Sequence, residues 1–329
     1  MKLRDYFDSL GRTGAVPILG YPGLVSENVT TQQSLLDPKV HARVVEKNVR
    51  LFEPDAALPL LDITVEAESF GLMAEFRNQD PPQLRSTLPL ETAETLQVQD
   101  IFKAHRITLL VEAARIISSQ VSKVPVGFFV TGPFTIAGQI VGVQQLLTGI
   151  FKAPEAISRL LEKCTRITVD YAKRLAETEI NFLVMADPTS SLISPDQFEN
   201  FAKAPITRVV KSVSKEIVLH ICGRSGHLLR AMFETGVAGL SLDDNVRLVD
   251  AARTVPREIL IFGNYSPTSI LLEKPEKISA AVTEMLASAE EAPNIVASTG
   301  CDIPANAPEE NIRAFIRAAK SYAPGQPRG

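Results

Sequence analysis

The sequence has few cysteines, no excess of basic residues and no long apolar run, and each shortage excludes a class of protein. Three cysteines in 329 residues are too few for a disulfide framework, so we expect a reducing, cytoplasmic location. A net charge of −4 leaves no basic surface for a phosphate backbone, which disfavours nucleic acid as a partner. No segment approaches the roughly 18 apolar residues of a membrane span, and the charged N-terminus lacks the apolar stretch of a signal peptide.

What the sequence does contain is a series of eight short apolar runs separated by longer amphipathic stretches. None of the runs alternates cleanly between apolar and polar residues, which is typical of strands buried on both faces of a parallel sheet. The runs are residues 16–19, 56–61, 126–130, 182–185, 217–219, 237–240, 259–262 and 295–297. Eight strands with intervening helices favour a closed (β/α)8 TIM barrel over an open doubly wound sheet.

The chain shows no linker or repeat that would divide it, so we predict one barrel domain over residues 1–329. It would carry an N-terminal extension and, in the region 78–97 that is rich in Pro and Gln, a loop excursion. Periodic apolar positions predict helices over 154–177, 194–213, 275–289 and 308–322. Cys164 lies on the apolar stripe of the first of these helices, so we expect it in the core.

Polar and metal-binding residues follow most of the apolar runs. Active sites of α/β barrels lie at the C-terminal ends of the strands. The residues at those positions are Asp62, Thr131, Asp187, His220, Cys222, Ser241, Asp243, Asn264, Thr299 and Cys301. Hydrophobic periodicity and side-chain chemistry therefore predict an active site at the same mouth of the barrel.

The segment around His220 and Cys222 carries the chemistry. Residues i and i+2 of a strand project to the same face, so this imidazole and thiol would point the same way. Cys301, 79 residues beyond Cys222 (301 − 222), could supply a third ligand across the mouth. Zinc accepts both donor types, and three protein ligands leave a fourth position open, as in catalytic sites. The alternative for each cysteine is an ordinary buried small hydrophobe.

A zinc ion with two thiolate ligands is a weak Lewis acid, but it can hold a substrate thiol as thiolate near neutral pH. A thiolate held in this way is a good nucleophile towards a methyl donor. The predicted ligand set therefore favours S-alkylation over amide hydrolysis.

Several motifs resemble the uroporphyrinogen decarboxylase superfamily, and within it the zinc-dependent methylcobamide:coenzyme M methyltransferases and related corrinoid methyltransferases. They are GPFTIAG at 132–138, ADP at 186–188 with ISP at 193–195, LHICG at 219–223, GN at 263–264 and STGCDIP at 298–304. The His-x-Cys with the distal Gly-Cys-Asp separates the methyltransferases from the decarboxylases. The decarboxylases also carry an N-terminal arginine motif, whereas residues 19–23 here contain no arginine to bind substrate carboxylates.

The resemblance implies a (β/α)8 barrel with Zn²⁺ held by His220, Cys222 and Cys301. It implies a methylated corrinoid, carried by a separate small corrinoid protein, as methyl donor, and a small thiol such as coenzyme M as acceptor. The zinc-held thiolate would take the methyl group and leave Co(I). Three alternatives stay open: a decarboxylase of a tetrapyrrole or similar acid, tetrahydrofolate as methyl acceptor, and a non-enzymatic barrel that binds a corrinoid protein or stores metal.

Four further residues are candidates for supporting roles. Asp187 and Asp243 are expected to accept the second N–H of His220 or to occupy the fourth metal position, with loop capping as the alternative. Asn264 and Thr299 are expected to line the substrate or cofactor pocket. Arg224 is the only obvious basic residue beside the ligands, and facing solvent is its alternative.

The remaining histidines receive weaker expectations. His41 and His105 fall in helical stretches and are expected to be surface or helix-face residues. His227 follows a Gly-rich turn, where it could cap a helix or reach the site.

Overall fold

The computed structural model describes residues 2–95 and 105–323, and its centre is a curled parallel sheet. The strands are β1 (Gly14–Ala15), β2 (Ala74–Glu75), β3 (Gln83–Leu84), β4 (Gly127–Thr131), β5 (Phe182–Ala186), β6 (Glu216–Ile221), β7 (Gly239–Leu242), β8 (Leu260–Tyr265) and β9 (Ile295–Thr299). Seven of them pair in parallel in the order β1-β9-β8-β7-β6-β5-β4. Strands β2 and β3 form a separate antiparallel hairpin.

Residues 55–61 lie between the two edge strands of this sheet. The Asp55 N–H donates to the Ala15 carbonyl at 2.8 Å, and Ala57 forms a parallel bridge with Val126. The segment therefore hydrogen-bonds to both edges and joins them, which confirms the predicted α/β-barrel class.

Two predicted strands need correction. Residues 56–61 make only the isolated bridge, and β1 ends before the predicted run 16–19 begins. Both segments contain a proline, Pro59 in the former and Pro17 in the latter, and proline cannot donate to a sheet ladder. We call residues 14–20 and 55–61 together the seam of the barrel.

The described helices are α1 (Leu3–Ser9), α2 (Pro22–Glu27), α3 (Thr31–Leu36), α4 (Pro38–Phe52), α5 (Leu90–Thr95), α6 (His105–Gln120), α7 (Pro133–Val141), α8 (Val143–Lys152), α9 (Pro154–Ala176), α10 (Pro195–Phe198), α11 (Ala204–Ser212), α12 (Leu229–Phe233), α13 (Leu248–Thr254), α14 (Pro267–Leu272), α15 (Pro275–Ala287) and α16 (Glu309–Ser321). Most of them lie in the connections between strands, whereas α1 precedes β1 and α16 follows β9. The predicted helices 154–177, 275–289 and 308–322 correspond closely to α9, α15 and α16.

The predicted helix 194–213 is interrupted. Its start is as expected, because Ser194 and Gln197 form a capping box at α10. A π-helical turn over Glu199–Lys203 then separates α10 from α11. Pro205 explains the break, since its missing N–H cannot continue the helical hydrogen bonds.

Side chains of alternate strand residues fill the inside of the barrel. The interior cluster includes Val184 of β5, Val218 of β6 and Phe262 of β8, whereas Leu183 and Leu219 belong to the larger core that includes the helices. Phe7 of the N-terminal helix α1 belongs to the interior cluster and meets Phe262 edge to face at 5.7 Å between ring centroids. The interior is thus packed with apolar side chains and closed at the N-terminal end of the strands.

The region of the predicted excursion, 78–97, contains the end of the hairpin and helix α5; its residues 96 and 97 lie outside the described part of the chain. That the whole chain forms one domain stays a prediction.

Within residues 2–95 and 105–323, no single helix is long and apolar enough to cross a membrane. The pair of α7 and α8 is long and apolar enough when taken together, but the two helices are bent by 105° relative to each other.

Candidate metal centre at the barrel mouth

The three predicted metal ligands lie together at the C-terminal end of the strands. His220 belongs to β6, and because Val218 faces the barrel interior, His220 two residues on faces it too. The Nε2 atom of His220 is 2.8 Å from the Cys222 Sγ, which in turn is 3.4 Å from the Cys301 Sγ. All three donor atoms lie within 4.8 Å of one another.

Gly300 lets Cys301 reach this position. Strands β7 and β8 separate β9 from β6, so the chain after β9 must fold inward over the ends of its neighbours. The Gly300 N–H donates to the Tyr265 carbonyl at 2.8 Å, and a Cβ on Gly300 would lie only 2.5 Å from the backbone nitrogen of Asp244. The absence of a side chain therefore permits the close approach that brings Cys301 to Cys222.

Ser241 is the partner of the second imidazole nitrogen. It pairs in register with His220 across β6 and β7, and its Oγ lies 2.9 Å from His220 Nδ1. With Nε2 facing the sulfurs, Nδ1–H would donate to this hydroxyl and hold the ring and its tautomer. We expected Asp187 or Asp243 in this role, and for that contact the expectation was wrong. Only the register of neighbouring strands, which sequence spacing does not set, identifies Ser241.

Asp187 is fully buried and bonded elsewhere. Its Oδ1 accepts the Thr135 N–H in the first turn of α7 at 2.7 Å, and its Oδ2 accepts the Ser190 hydroxyl at 2.9 Å. Burial raises the pKa of Asp187 to about 6, although these hydrogen bonds oppose the rise. These contacts correspond to loop and helix capping, the alternative considered for this residue.

Asp243 lies beside the metal ligands. Its Oδ1 accepts from the backbone N–H of Asn245 at 2.9 Å and from the Asn245 side chain at 2.6 Å. Burial alone would raise the pKa of Asp243, but hydrogen bonds from the N–H groups of Gly223 and Asn245 bring it below its ordinary value. The carboxylate is close enough to raise the pKa of Cys222. Its role as a fourth ligand stays a prediction.

Asn264 and Thr299 support the loops at the mouth. The Asn264 amide donates to the carbonyl of Asp243 at 2.8 Å and to that of Val246, so it holds the loop after β7. The Thr299 hydroxyl accepts from the Ile18 N–H at 3.0 Å and so joins β9 to the seam. A pocket-lining role for either residue stays a prediction.

The two sulfurs at the mouth differ in acidity. The hydrogen bond from Cys222 lowers the pKa of Cys301 to about 4, with further help from His220. The same hydrogen bond, together with burial, raises the pKa of Cys222. Cys164, in contrast, is buried in the core on α9 as predicted, and burial raises its pKa.

Asp302 directly follows Cys301 and stands out among the acidic residues of the mouth. Its Oδ1 is enclosed and has no hydrogen-bond partner among the described residues. Burial, and then the charge of Cys301, raises the pKa of Asp302 well above its ordinary value.

A second cluster of buried polar residues lies at the mouth, in and around the segment that follows the seam. Arg106 of α6 donates to Asp62 and, at 2.9 Å, to Glu68. Glu66 accepts from the N–H and hydroxyl of Thr131 at the end of β4, both at 2.6 Å. Burial raises the pKa of Glu66 to about 7. Sequence spacing predicted Asp62 and Thr131 at this mouth, but it did not predict their partners Arg106 and Glu66.

Two other histidines, His41 and His227, lie apart from the candidate metal ligands. His41 lies on the buried face of α4, one of the two positions expected for it, and its Nε2 accepts the Leu60 N–H of the seam at 3.3 Å. His227 lies in a loop, with its ring nitrogens 2.9 Å from the carbonyls of Arg224 and Ile193. His105 begins α6, and its side chain lies outside the described part.

The donor set fits zinc in type and spacing. With bonds of about 2.3 Å to sulfur and about 2.0 Å to nitrogen, tetrahedral edges are about 3.8 Å between two sulfurs and about 3.5 Å between sulfur and nitrogen. The observed separations of 3.4 Å and 2.8 Å are shorter by about 0.4 Å and about 0.7 Å. The three side chains would therefore have to move apart by less than 1 Å to accommodate the ion.

Comparison with known proteins agrees with this architecture. Residues 20–322 match the family model described as uroporphyrinogen decarboxylase (URO-D). The methylcobamide:CoM methyltransferase MtbA of Methanosarcina acetivorans is 32% identical over 79% of this chain and 78% of its own length. A uroporphyrinogen decarboxylase of Thermodesulfovibrio yellowstonii is 23% identical over 85% of this chain and 83% of its own.

A solved structure has the same fold. The structure titled as a methyltransferase from Methanosarcina mazei superposes with a TM-score of 0.86 at 24% identity, covering 97% of each chain. At this identity the likeness speaks for the fold alone. Together with the family match, it establishes that the chain belongs to the uroporphyrinogen decarboxylase (URO-D) family.

Proposed function

We propose that this chain is a zinc-dependent methyltransferase that moves a methyl group between a methylated corrinoid, presented by a small corrinoid protein, and a thiol such as coenzyme M. The broader assignment, an enzyme of the methyltransferase type, follows from relatives such as MtbA. The observation that carries the finer proposal is the meeting of His220, Cys222 and Cys301 at the barrel mouth.

The chain's own residues prepare the site. Zinc, when bound, would lower the pKa of a thiol at its open position. Cys222 and Cys301 would supply two negative charges that reduce the Lewis acidity of the ion. Ser241 would hold His220 with its Nε2 towards the ion. Asp243 is near enough for its charge to act on Cys222, but its carboxylate is not among the donor atoms that lie within 4.8 Å of one another, so it would have to move to serve as a fourth ligand.

The packed barrel interior supports a reaction at the barrel mouth. Val218 lies below His220 on β6, and Ala186 and Ser241 flank His220 in register. A corrinoid has no room there, so the methyl donor must approach from outside, in agreement with delivery by a separate protein. The thiol would release its proton to solvent, its sulfur would bond to the methyl carbon to give a thioether, and the electrons of the broken cobalt–carbon bond would remain on cobalt as Co(I).

The test measures zinc content and thioether formation from methylcobalamin and coenzyme M. We expect Cys222→Ser and Cys301→Ser to lose both zinc and activity while the far-ultraviolet circular dichroism spectrum stays unchanged. Cys164→Ala is the matched control, since this third cysteine is in the core, and it should keep both.

Three results would contradict the proposal in different ways. Zinc retained at full occupancy in both serine variants would remove the ligand assignment. Zinc-independent release of CO2 from a porphyrinogen would favour the decarboxylase alternative. Methylation of tetrahydrofolate but of no thiol would move the acceptor from sulfur to nitrogen.

A further inference from the structure

Cys222 and Cys301 are placed to react with each other as well as to hold a metal. Their sulfur atoms are 3.4 Å apart, a separation at which the two atoms touch. Sulfurs in contact require side chains that point towards each other, and converging side chains are a condition for a disulfide. Oxidation of this pair would therefore need only a small further approach of the two sulfurs.

Both cysteines lie in loops, where such an approach does not disturb the sheet. Strand β6 ends directly before Cys222, and β9 ends two residues before Cys301. No strand pairing within residues 2–95 and 105–323 includes either cysteine. The sulfurs can close the remaining gap through side-chain rotation and small shifts of the two loops, and every ladder of the barrel stays intact.

The third cysteine has neither property. Cys164 is buried on α9, whereas Cys222 and Cys301 are partly exposed at the barrel mouth. In the part of the chain that the structure describes, Cys222 and Cys301 are the cysteines whose sulfurs touch. A small oxidant that reaches the mouth would thus meet two adjacent sulfurs, while the core shields the third.

We propose that Cys222 and Cys301 form a reversible disulfide when the protein meets a peroxide, and that this disulfide switches the metal centre off. One sulfur attacks a peroxide oxygen, the O–O bond breaks, one oxygen leaves as water and the sulfur becomes a sulfenic acid. The second sulfur attacks the first, the S–S bond forms, and a second water leaves. Two thiols and hydrogen peroxide thus give a disulfide and two waters, and the two electrons that the sulfurs lose pass to the peroxide oxygens.

The disulfide would remove two of the three candidate metal donors. Only His220 of the donor set would remain, whereas protein zinc sites use three or four protein ligands. A reducing compartment would keep the thiols free and would reverse the switch after oxidation. Formation of the disulfide needs only the two sulfurs and goes beyond the proposed function; its effect on zinc rests on the ligand set proposed there.

The test treats the full chain with hydrogen peroxide, in zinc-loaded and in metal-free form, and counts free thiols by alkylation after denaturation. The parent has three cysteines, of which we expect two to become resistant to alkylation. The intact mass should fall by about 2 Da, the mass of two hydrogens, and peptide mapping should find Cys222 linked to Cys301. Dithiothreitol should restore all three thiols.

The zinc-loaded form shows whether the disulfide acts as a switch. A chromogenic chelator follows zinc during oxidation, and we expect about one zinc ion released for each disulfide formed. After removal of the peroxide, methyl transfer from methylcobalamin should be lost, and reduction followed by added zinc should restore it.

Substitutions identify the sulfurs that react. Cys222→Ser and Cys301→Ser each keep one sulfur of the pair, so oxidation should stop at a sulfenic acid, which dimedone traps. Cys164→Ala removes the core cysteine and leaves the pair, so it is the matched control. It should form the disulfide and release zinc as the parent does.

The outcomes separate this inference from the proposed function. A parent that transfers methyl groups but gains oxygen without a link between Cys222 and Cys301, or links either of them to Cys164, would overturn the disulfide and leave the methyltransferase intact. A parent that forms the disulfide but binds no zinc would overturn the proposed ligand set and the switch, although the pairing of the sulfurs would stand.

Discussion

The two halves of the barrel are held together in different ways. From β4 to β9 the strands pair through continuous parallel ladders, and the candidate metal ligands lie on this half, which we call the metal half. At the seam, side chains replace much of the ladder: the Asp55 carboxylate accepts from Ala15, His41 from Leu60, and Thr299 from Ile18. A rigid ladder suits a metal site, whose donors must keep their positions to within a few tenths of an ångström.

The electrostatic character of the two halves differs as well. Asp55 of the seam is paired with Arg12 and Lys320. Burial raises the pKa of Asp55, but the hydrogen bonds from Arg12 and the Ala15 N–H, together with the charges of Lys320 and Arg12, outweigh burial, so the pKa of Asp55 is lowered. Among the described residues, Asp302 near the candidate metal ligands has no such partner, and burial raises its pKa well above the ordinary value. The seam thus compensates the charge of its aspartate, whereas burial favours the neutral form of Asp302.

The largest effect on zinc affinity is expected at Gly300, where the backbone of one loop lies directly against that of another. Gly300→Ala would place a Cβ at 2.5 Å from the Asp244 nitrogen, so the loop must shift and carry Cys301 away from Cys222. We expect zinc affinity, measured by chelator competition, to fall by at least about a hundredfold.

Gly226→Ala is the matched control for this change. A Cβ at Gly226 would have its nearest neighbour at 3.8 Å, an ordinary contact. This variant should bind zinc as the parent does. If Gly300→Ala binds zinc equally well, the close approach is not what positions Cys301.

The free energy of unfolding should depend on pH through His41, whose side chain holds the seam. Burial lowers the pKa of His41 to about 4 from an ordinary value of 6.5. Folding therefore favours the neutral ring: its contribution is complete above pH 6.5 and is lost as the pH falls from 6.5 towards 4. The loss would reach about 3 kcal/mol, on 1.36 kcal/mol per pKa unit. Urea unfolding at a series of pH values measures it.

His41→Gln sharpens this prediction. Its side-chain oxygen can still accept from the Leu60 N–H, but the side chain does not titrate. The difference in unfolding free energy between parent and variant should therefore change with pH only between about 6.5 and 4. A difference that stays constant over this interval would mean that His41 does not resist protonation in the folded protein.

The smallest effect is expected at Ser241. Ser241→Ala removes the hydroxyl beside His220 Nδ1 but leaves all three metal donors in place. We expect zinc affinity to fall about tenfold or somewhat more, with the thermal midpoint of the metal-free protein little changed. Ser34→Ala, at another buried serine whose hydroxyl has no hydrogen-bond partner, is the control and should not alter zinc affinity. Equal zinc affinity in both variants would contradict a role for Ser241 in holding the imidazole.

Hydrophobic periodicity was sufficient for the regular half of the fold. It predicted β5, β6 and β9 within a few residues, and helices such as α9. It failed at the seam, where the apolar run 16–19 looks like the others but Pro17 prevents regular pairing. It left open whether His41 lies on the surface or on a helix face, because a helical stretch does not reveal that one of its faces packs on the seam.

The sequence by itself determined that His220 and Cys222 share a face, because the two-residue period of a strand is local and independent of its surroundings. Only the tertiary structure decided that Cys301 meets them, that Ser241 rather than an aspartate holds His220, and that Asp302 is left without a donor. These three relations depend on strand register and on the path of a loop over neighbouring strands. Both are set by contacts between residues far apart in the chain, which local spacing does not encode.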